Sequence, residues 1–267
     1  MFTSIDHIGV VVRDLKEATD AFERVFGLKI AVQEPIPERG LIAALVPTAD
    51  VRFELMEPTD PESAVGRFMA RRGEGIQHIC FEVDDILQAI ATLKEREVQI
   101  IQGEPETGFV GDVEFVHPRA ANGVLTEVAQ ITRRTPTEHD LSLHHITIAT
   151  PDRDAAVANW TKSFGLTLDR TSERENADII AGWMGVGSAE VEFAQPTSDE
   201  GPLAKFISER GPGVFGIVLE SSDAAGLAEH VKAQGIRVIE DPEGDSIIRV
   251  VHPKDFFGTL IMINQRN

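Results

Sequence analysis

Two histidines and two glutamates in the first half of the chain have the types and spacing of a metal-ligand set. His7 lies in the alternating run DHIGVVV and His78 in QHICFEV, 71 residues on, while Glu54 lies in VRFELM and Glu127 in GVLTEVA, 73 residues on. The nearly equal offsets place each pair at equivalent positions of a repeated unit, so folding two such units face to face brings two imidazoles and two carboxylates together. That set suits one divalent ion (Co, Mn, Ni, Zn, Mg or Fe), with positions left for water or substrate. Inward-facing carboxylates need a counter-charge, and a metal ion supplies it.

The elements that must position these residues repeat along the whole chain. DHIGVVVRDLKEATDAFERVFGLKI from Asp6 reads like HHITIATPDRDAAVANWTKSFGLTL from His144; His7 pairs with His145, Phe22 with Trp160 and Glu54 with Glu192, all at an offset of 138. HPRAANGVLTEVAQ from His117 matches HPKDFFGTLIMINQ from His252 at an offset of 135. Repeats of this length decide the architecture. Each half divides again, since IDHIGVVVRD and IQHICFEVDD share a strand followed by an acidic helix start. The unit reads as a strand into Val12, a capping box Asp14-Leu-Lys-Glu17, a helix burying Ala18, Phe22 and Val25, a stop at Gly27, and further strands such as residues 51–56 and 113–118. Later helices start at Asp85 and Asp152, and Gly165 closes the third. The expected class is α+β, with four βαβββ modules paired 1 with 2 and 3 with 4. The domains are then 1–131, with the ligand set, and 141–267, joined by a polar linker over 132–140. The second half keeps His145 and Glu192 but has Gly216 in place of His78 and Met262 in place of Glu127. Glycine and a soft thioether do not hold a hard cation, so this half reads as a degenerate copy.

Composition excludes several classes of function. Lys plus Arg number 25 against 44 Asp plus Glu, a formal charge of −19, which disfavours nucleic acid and requires local basic residues for any anionic substrate. One cysteine, Cys80, gives no disulfide framework, and the first residues lack a signal-peptide pattern, so a soluble cytoplasmic protein is expected. No apolar run reaches the length of a membrane span. Cys80 reads as a core thiol, His117 and His252 before proline as strand ends, and Arg71 and Arg72 as solvated or as a grip for an anionic tail.

The motifs DHIGVVVRD, Pro37-Glu38-Arg39-Gly40, Glu54 to Pro58, GIQHICFEVDDI (75–86) and HP...GVLTEVAQ (117–130) together resemble methylmalonyl-CoA epimerase, of the vicinal-oxygen-chelate (glyoxalase/dioxygenase) superfamily. The resemblance runs through nearly all of residues 3–131. It implies two vicinal-oxygen-chelate domains and metal ligands at His7, Glu54, His78 and Glu127. It also implies a proton transfer next to a thioester or ketone through an enediolate, with a small-molecule substrate such as an acyl-CoA. Some such epimerases carry a catalytic Glu three residues after the Gly of the P-E-x-G element, where this chain has Ala43. Glu127 is then the first candidate base and Glu38 the second. These epimerases usually stop after two modules and dimerise, so the second half is expected to replace the partner subunit, in a monomer (pseudo-dimer) or a homodimer.

Three rival functions use the same fold. A glyoxalase I-like lyase shares the four-ligand site. A type I extradiol dioxygenase uses two His and one Glu around iron, so Glu54 would occupy a position its substrates need, and it tends to keep a tyrosine nearby, whereas this chain has none. A drug-binding module of the bleomycin-resistance kind lacks the ligand set altogether.

Overall fold

The first helix of each module is capped twice at its start, and one of the two caps ties it to the sheet beneath it. The computed structural model describes residues 1–135, 138–243 and 246–266. Its first module runs β1 (Ser4–Val11), α1 (Leu15–Phe26), β2 (Val32–Ile36), β3 (Leu41–Pro47) and β4 (Arg52–Pro58), followed by α2 (Ala64–Arg72). The second runs β5 (Gly75–Glu82), α3 (Ile86–Glu95), β6 (Glu106–Thr107), β7 (Gly111–Val116) and β8 (Leu125–Ile131). The third runs β9 (Ser142–Ala149), α4 (Arg153–Phe164), β10 (Arg170–Arg174), β11 (Ile179–Val186) and β12 (Ala189–Pro196), followed by α5 (Gly201–Arg210). The fourth runs β13 (Gly213–Ser221), α6 (Ala224–Ala233), β14 (Val238–Glu243), β15 (Ser246–Val251) and β16 (Ile261–Gln265). Four βαβββ modules are therefore present. The linker expected over 132–140 has Pro136 and Thr137 outside the described residues.

Asp14, Asp85, Asp152 and Asp223 each accept the backbone N–H three residues on, at 2.9 to 3.0 Å. A second acceptor comes from the last strand of the same module: Glu57, Gln130, Gln195 and Gln265 take the first helical N–H at Leu15, Ile86, Arg153 and Ala224. Two of the orphan donors at each helix start are thus satisfied. α1 buries Ala18, Phe22 and Val25 as its periodicity requires. Gly27 and Gly165 end α1 and α4 in the left-handed region, at φ 73° and 74°, where a side chain would be strained.

Each half forms one eight-stranded sheet, in the order β2-β3-β4-β1-β5-β8-β7-β6 and, in the second half, β10-β11-β12-β9-β13-β16-β15-β14. Modules 1 and 2 share the first sheet and modules 3 and 4 the second. β1 and β4 are parallel, with His7 opposite Arg52 and Gly9 opposite Glu54. β9 and β12 repeat this with His145 opposite Glu190 and Thr147 opposite Glu192.

Compactness groups the modules differently. One unit comprises Asp6–His78, Arg134–Leu143 and Val218–Asn267. Within it α1 packs on α6, Phe256 meets the rings of Phe22 and Phe26 at 4.9 and 5.1 Å, and His230 Nε2 donates to the Arg24 carbonyl at 2.9 Å. Asp140 pins the linker by accepting from Ser221 Oγ at 2.6 Å and the Ser222 N–H at 2.9 Å. The other unit comprises Met1–Ile5, Ile79–Arg133 and His144–Ile217. There buried Trp160 meets Phe81, Phe164 and Phe193, and Arg96 donates to the Ser163 carbonyl. No helix among the described residues is long and apolar enough to cross a membrane.

Candidate metal centre

His7 is the fourth residue of β1 and His78 the fourth of β5, so the repeat places both imidazoles at the same depth of adjacent strands. Glu54 enters from β4 on the other side of β1. His7, His78 and Glu54 are buried, at 1%, 2% and 6% exposure respectively. His7 Nε2 lies 3.1 Å from Glu54 Oε2 and 3.1 Å from His78 Nε2, and His78 Nε2 lies 3.3 Å from Glu54 Oε2.

What faces the far side of each imidazole fixes the chemistry of this cluster. His7 Nδ1 meets Asp6 Oδ2 at 2.9 Å and His78 Nδ1 meets Gln77 Oε1 at 3.1 Å. Both facing atoms are acceptors, so a neutral ring at either position carries its proton on Nδ1 and turns an Nε2 lone pair toward the cluster. Two lone pairs and a carboxylate oxygen then confront one another. A single proton serves only one of these three contacts, whereas a cation serves all of them. Burial alone would raise the Glu54 carboxyl; where no cation is bound, His7 and His78 must instead carry protons toward it, and hydrogen bonds and charge from rings in that state hold it well below the usual carboxylate range. A donor set of two imidazole nitrogens and a carboxylate oxygen is one that Zn, Co, Ni, Fe or Mn accepts, so the residues fit a divalent metal.

Glu127 is buried on β8, the strand after β5 in the sheet order. Glu38 is exposed, on the 3-10 turn Pro37–Arg39. Cys80 is a buried free thiol. His117 and His252 serve the backbone: each Nδ1 accepts the N–H two residues on, at Arg119 and Lys254, and so starts a short 3-10 turn.

Two supports of the site lay outside the expectations drawn from sequence. Asp6 accepts from His7 and is paired with Arg52. The other is Gly9, because a Cβ there would lie 2.1 Å from His78 Cε1, 2.4 Å from Nδ1 and 2.6 Å from Nε2. Glycine is required at residue 9 by the close approach of a ring, with no demand on φ.

The second half shows what the same frame becomes without these features. Thr147 stands at the place of Gly9 and Gly216 at the place of His78. The Thr147 hydroxyl donates to Glu192 Oε2 at 2.7 Å, and Arg174 pairs with Glu192 Oε1. His145 Nε2 stays 3.5 Å from Glu192 Oε2. Burial would raise the Glu192 carboxyl, yet His145, Arg174 and Thr147 hold it below its ordinary value. The guanidinium gives this carboxylate the counter-charge that a metal would give Glu54 in the first half.

Comparison with known proteins agrees with the fold. Methylmalonyl-CoA epimerase of Bos taurus is 33% identical over 128 residues, covering 47% of this chain and 73% of that protein. An ethylmalonyl-CoA/methylmalonyl-CoA epimerase of Cereibacter sphaeroides is 31% identical over 134 residues, covering 49% of this chain and all of that protein. The fold of the whole chain matches a variant of 4-hydroxymandelate synthase from Streptomyces coelicolor, with a TM-score of 0.79 at 15% identity, covering 100% of this chain and 94% of that one. A family profile described as the Glyoxalase/Bleomycin resistance protein/Dioxygenase superfamily matches twice, over residues 6–117 and 144–250. The chain belongs to that superfamily, with one copy of its domain in each half.

Proposed function

We propose that the chain is a metal-dependent isomerase of the epimerase kind, moving a proton α to the carbonyl of an acyl thioester, with His7, Glu54, His78 and Glu127 holding one divalent ion. The observation that carries this reading is the convergence of two imidazole Nε2 atoms and a Glu54 carboxylate oxygen within 3.1 to 3.3 Å of one another inside the protein. The epimerases similar to about half of the chain support the choice of reaction and of a coenzyme A thioester as substrate. When bound, the ion supplies Lewis acidity, which lowers the cost of charge developing on the substrate's carbonyl oxygen by several kcal/mol.

The protein's own residues do the rest. An α C–H bond is too weakly acidic for an unaided carboxylate. With the carbonyl polarised, Glu127 takes the proton and the bonding pair moves into a C–C double bond, leaving the negative charge on oxygen. Return of a proton to the opposite face completes the inversion, and Glu38 is the nominated donor. Asp6 and Gln77 keep the two imidazoles in the tautomer that offers Nε2. The second half, degenerate at Gly216 and Met262, replaces the partner subunit of a dimeric epimerase, and the protein acts in the cytoplasm.

The test is NMR of acyl-CoA thioesters, methylmalonyl-CoA first, in D₂O under anaerobic conditions with metal-loaded protein. Deuterium wash-in at the α position that stops on adding chelator is expected, and Glu127→Gln should slow it by roughly 10² or more, the usual scale for removing a general base. No exchange on any thioester, or oxygen uptake on a catechol, overturns the reading.

A further inference from the structure

Resting on the metal-binding reading above, we infer that Asp6, held by Arg52, is a positioning residue for His7. It fixes the imidazole tautomer and aims Nε2 at the ion. Asp6 Oδ2 faces His7 Nδ1 at 2.9 Å, and Arg52, directly opposite His7 on the parallel strand β4, pairs with that same oxygen. All three are buried, at 8% exposure for Asp6, 5% for Arg52 and 1% for His7. An ionised carboxylate in such a place is costly unless paired. Arg52 keeps Asp6 anionic and engages the oxygen that would otherwise be open to compete for the cation. A carboxylate behind a ligating imidazole orients the ring and strengthens its donor nitrogen.

The chain contains its own comparison. At the offset of 138, His144 stands where Asp6 does and Glu190 where Arg52 does, so both members of the pair have changed. His144 Nδ1 faces His145 Nδ1 at 2.6 Å, an imidazole where the first half has a carboxylate, and Glu190 turns to Arg170 with a contact of 2.8 Å. The supporting pair is present in the half whose ligand set is complete and has been replaced in the half that lost two ligands. Sharing one strand register does not explain this, because both halves keep that register.

The experiment titrates the full-length protein with Co²⁺ against a chromophoric chelator and records the Co²⁺ visible absorption, alongside thermal melting. Asp6→Asn keeps an acceptor for His7 and should lose about tenfold in Co²⁺ affinity; the double variant Asp6→Leu with Arg52→Met, which leaves no unpaired buried charge, should lose about 100-fold while melting near the wild type. Both should alter the absorption bands, which a merely structural pair would leave alone. His144→Asn should change neither affinity nor bands. Should the double variant fail to fold, Asp6→Asn decides by the same titration. Wild-type affinity and bands in Asp6→Asn overturn this inference alone, and an equal loss in His144→Asn does the same. A wild-type chain that binds no Co²⁺ overturns the metal-binding reading and this inference with it.

Discussion

Gly9→Ala adds one methyl group to β1 and should remove the metal site without touching a ligand. The new Cβ would lie 2.1 Å from His78 Cε1, whereas carbon atoms in contact sit about 3.5 Å apart, so the ring must retreat by about 1.4 Å. Metal–ligand distances tolerate only about 0.2 Å. His78 is therefore lost as a ligand, and the effect should exceed the roughly 100-fold upper range for disturbing a group that only orients a ligand, about 2.7 kcal/mol. Overpacking alone should cost about 1–3 kcal/mol of fold stability. The two effects separate in a cycle with His78→Ala: once the ring is gone the methyl group has room, so the stability cost of Gly9→Ala should largely vanish in the double variant. Isothermal titration with Zn²⁺ and urea unfolding of all four proteins give the numbers. Wild-type Zn²⁺ affinity in Gly9→Ala, or additive stability losses in the double variant, would refute the steric argument.

Purified protein should bind one Zn²⁺ per chain, since Gly216 and Met262 leave the second half two ligands short; elemental analysis finding two per chain contradicts this, and His145→Ala should leave the single site intact. Phe256→Ala should cost about 3–5 kcal/mol in urea unfolding, because its fully buried ring joins the fourth module to Phe22 and Phe26 of the first. Acid stability should show Asp140, whose carboxyl is held down at about 2 from 3.8, first by Ser221 and Ser222 and also by Arg266. A pKa lowered on folding stabilises above the ordinary value and loses that contribution as pH falls from about 4 to about 2. The group is largely exposed, so the amount is under about 1 kcal/mol, and Asp140→Asn should flatten that part of a stability–pH curve.

The repeat made the ligand-type residues legible. His7 and His78, or Glu54 and Glu127, say little alone, but nearly equal offsets of 71 and 73 residues bring them to equivalent positions once each unit folds alike. Helix boundaries were legible for a local reason, because Asp14, Asp152, Gly27 and Gly165 act within a turn of the chain. Asp6 and Arg52 were not, since they are 46 residues apart and meet only through the β1–β4 register, which hydrophobic alternation does not specify. Gly9 was hidden for a related reason: nothing beside it in sequence announces that His78 fills the space a side chain would take. The caps from Glu57, Gln130, Gln195 and Gln265 do repeat, each three residues past a ligand-equivalent position, yet a Gln at a strand end carries no mark of its partner. Apolar faces on α1 and α6 were readable, but periodicity says that a face is buried and is silent on what buries it.

The exchange of Gly9 and His78 for Thr147 and Gly216 sets how the second half can change over evolutionary time. A histidine regained at 216 would meet Thr147 where His78 meets bare backbone, and Arg174 would still hold Glu192. Removing Arg174 first would strand a buried carboxylate, and replacing Thr147 first would take away one of its hydrogen bonds. Each single step back should cost stability before any metal can bind, and Met262 would have to change as well. The second copy is free to vary elsewhere, but every single-residue path to the first half's ligand set begins with a less stable protein.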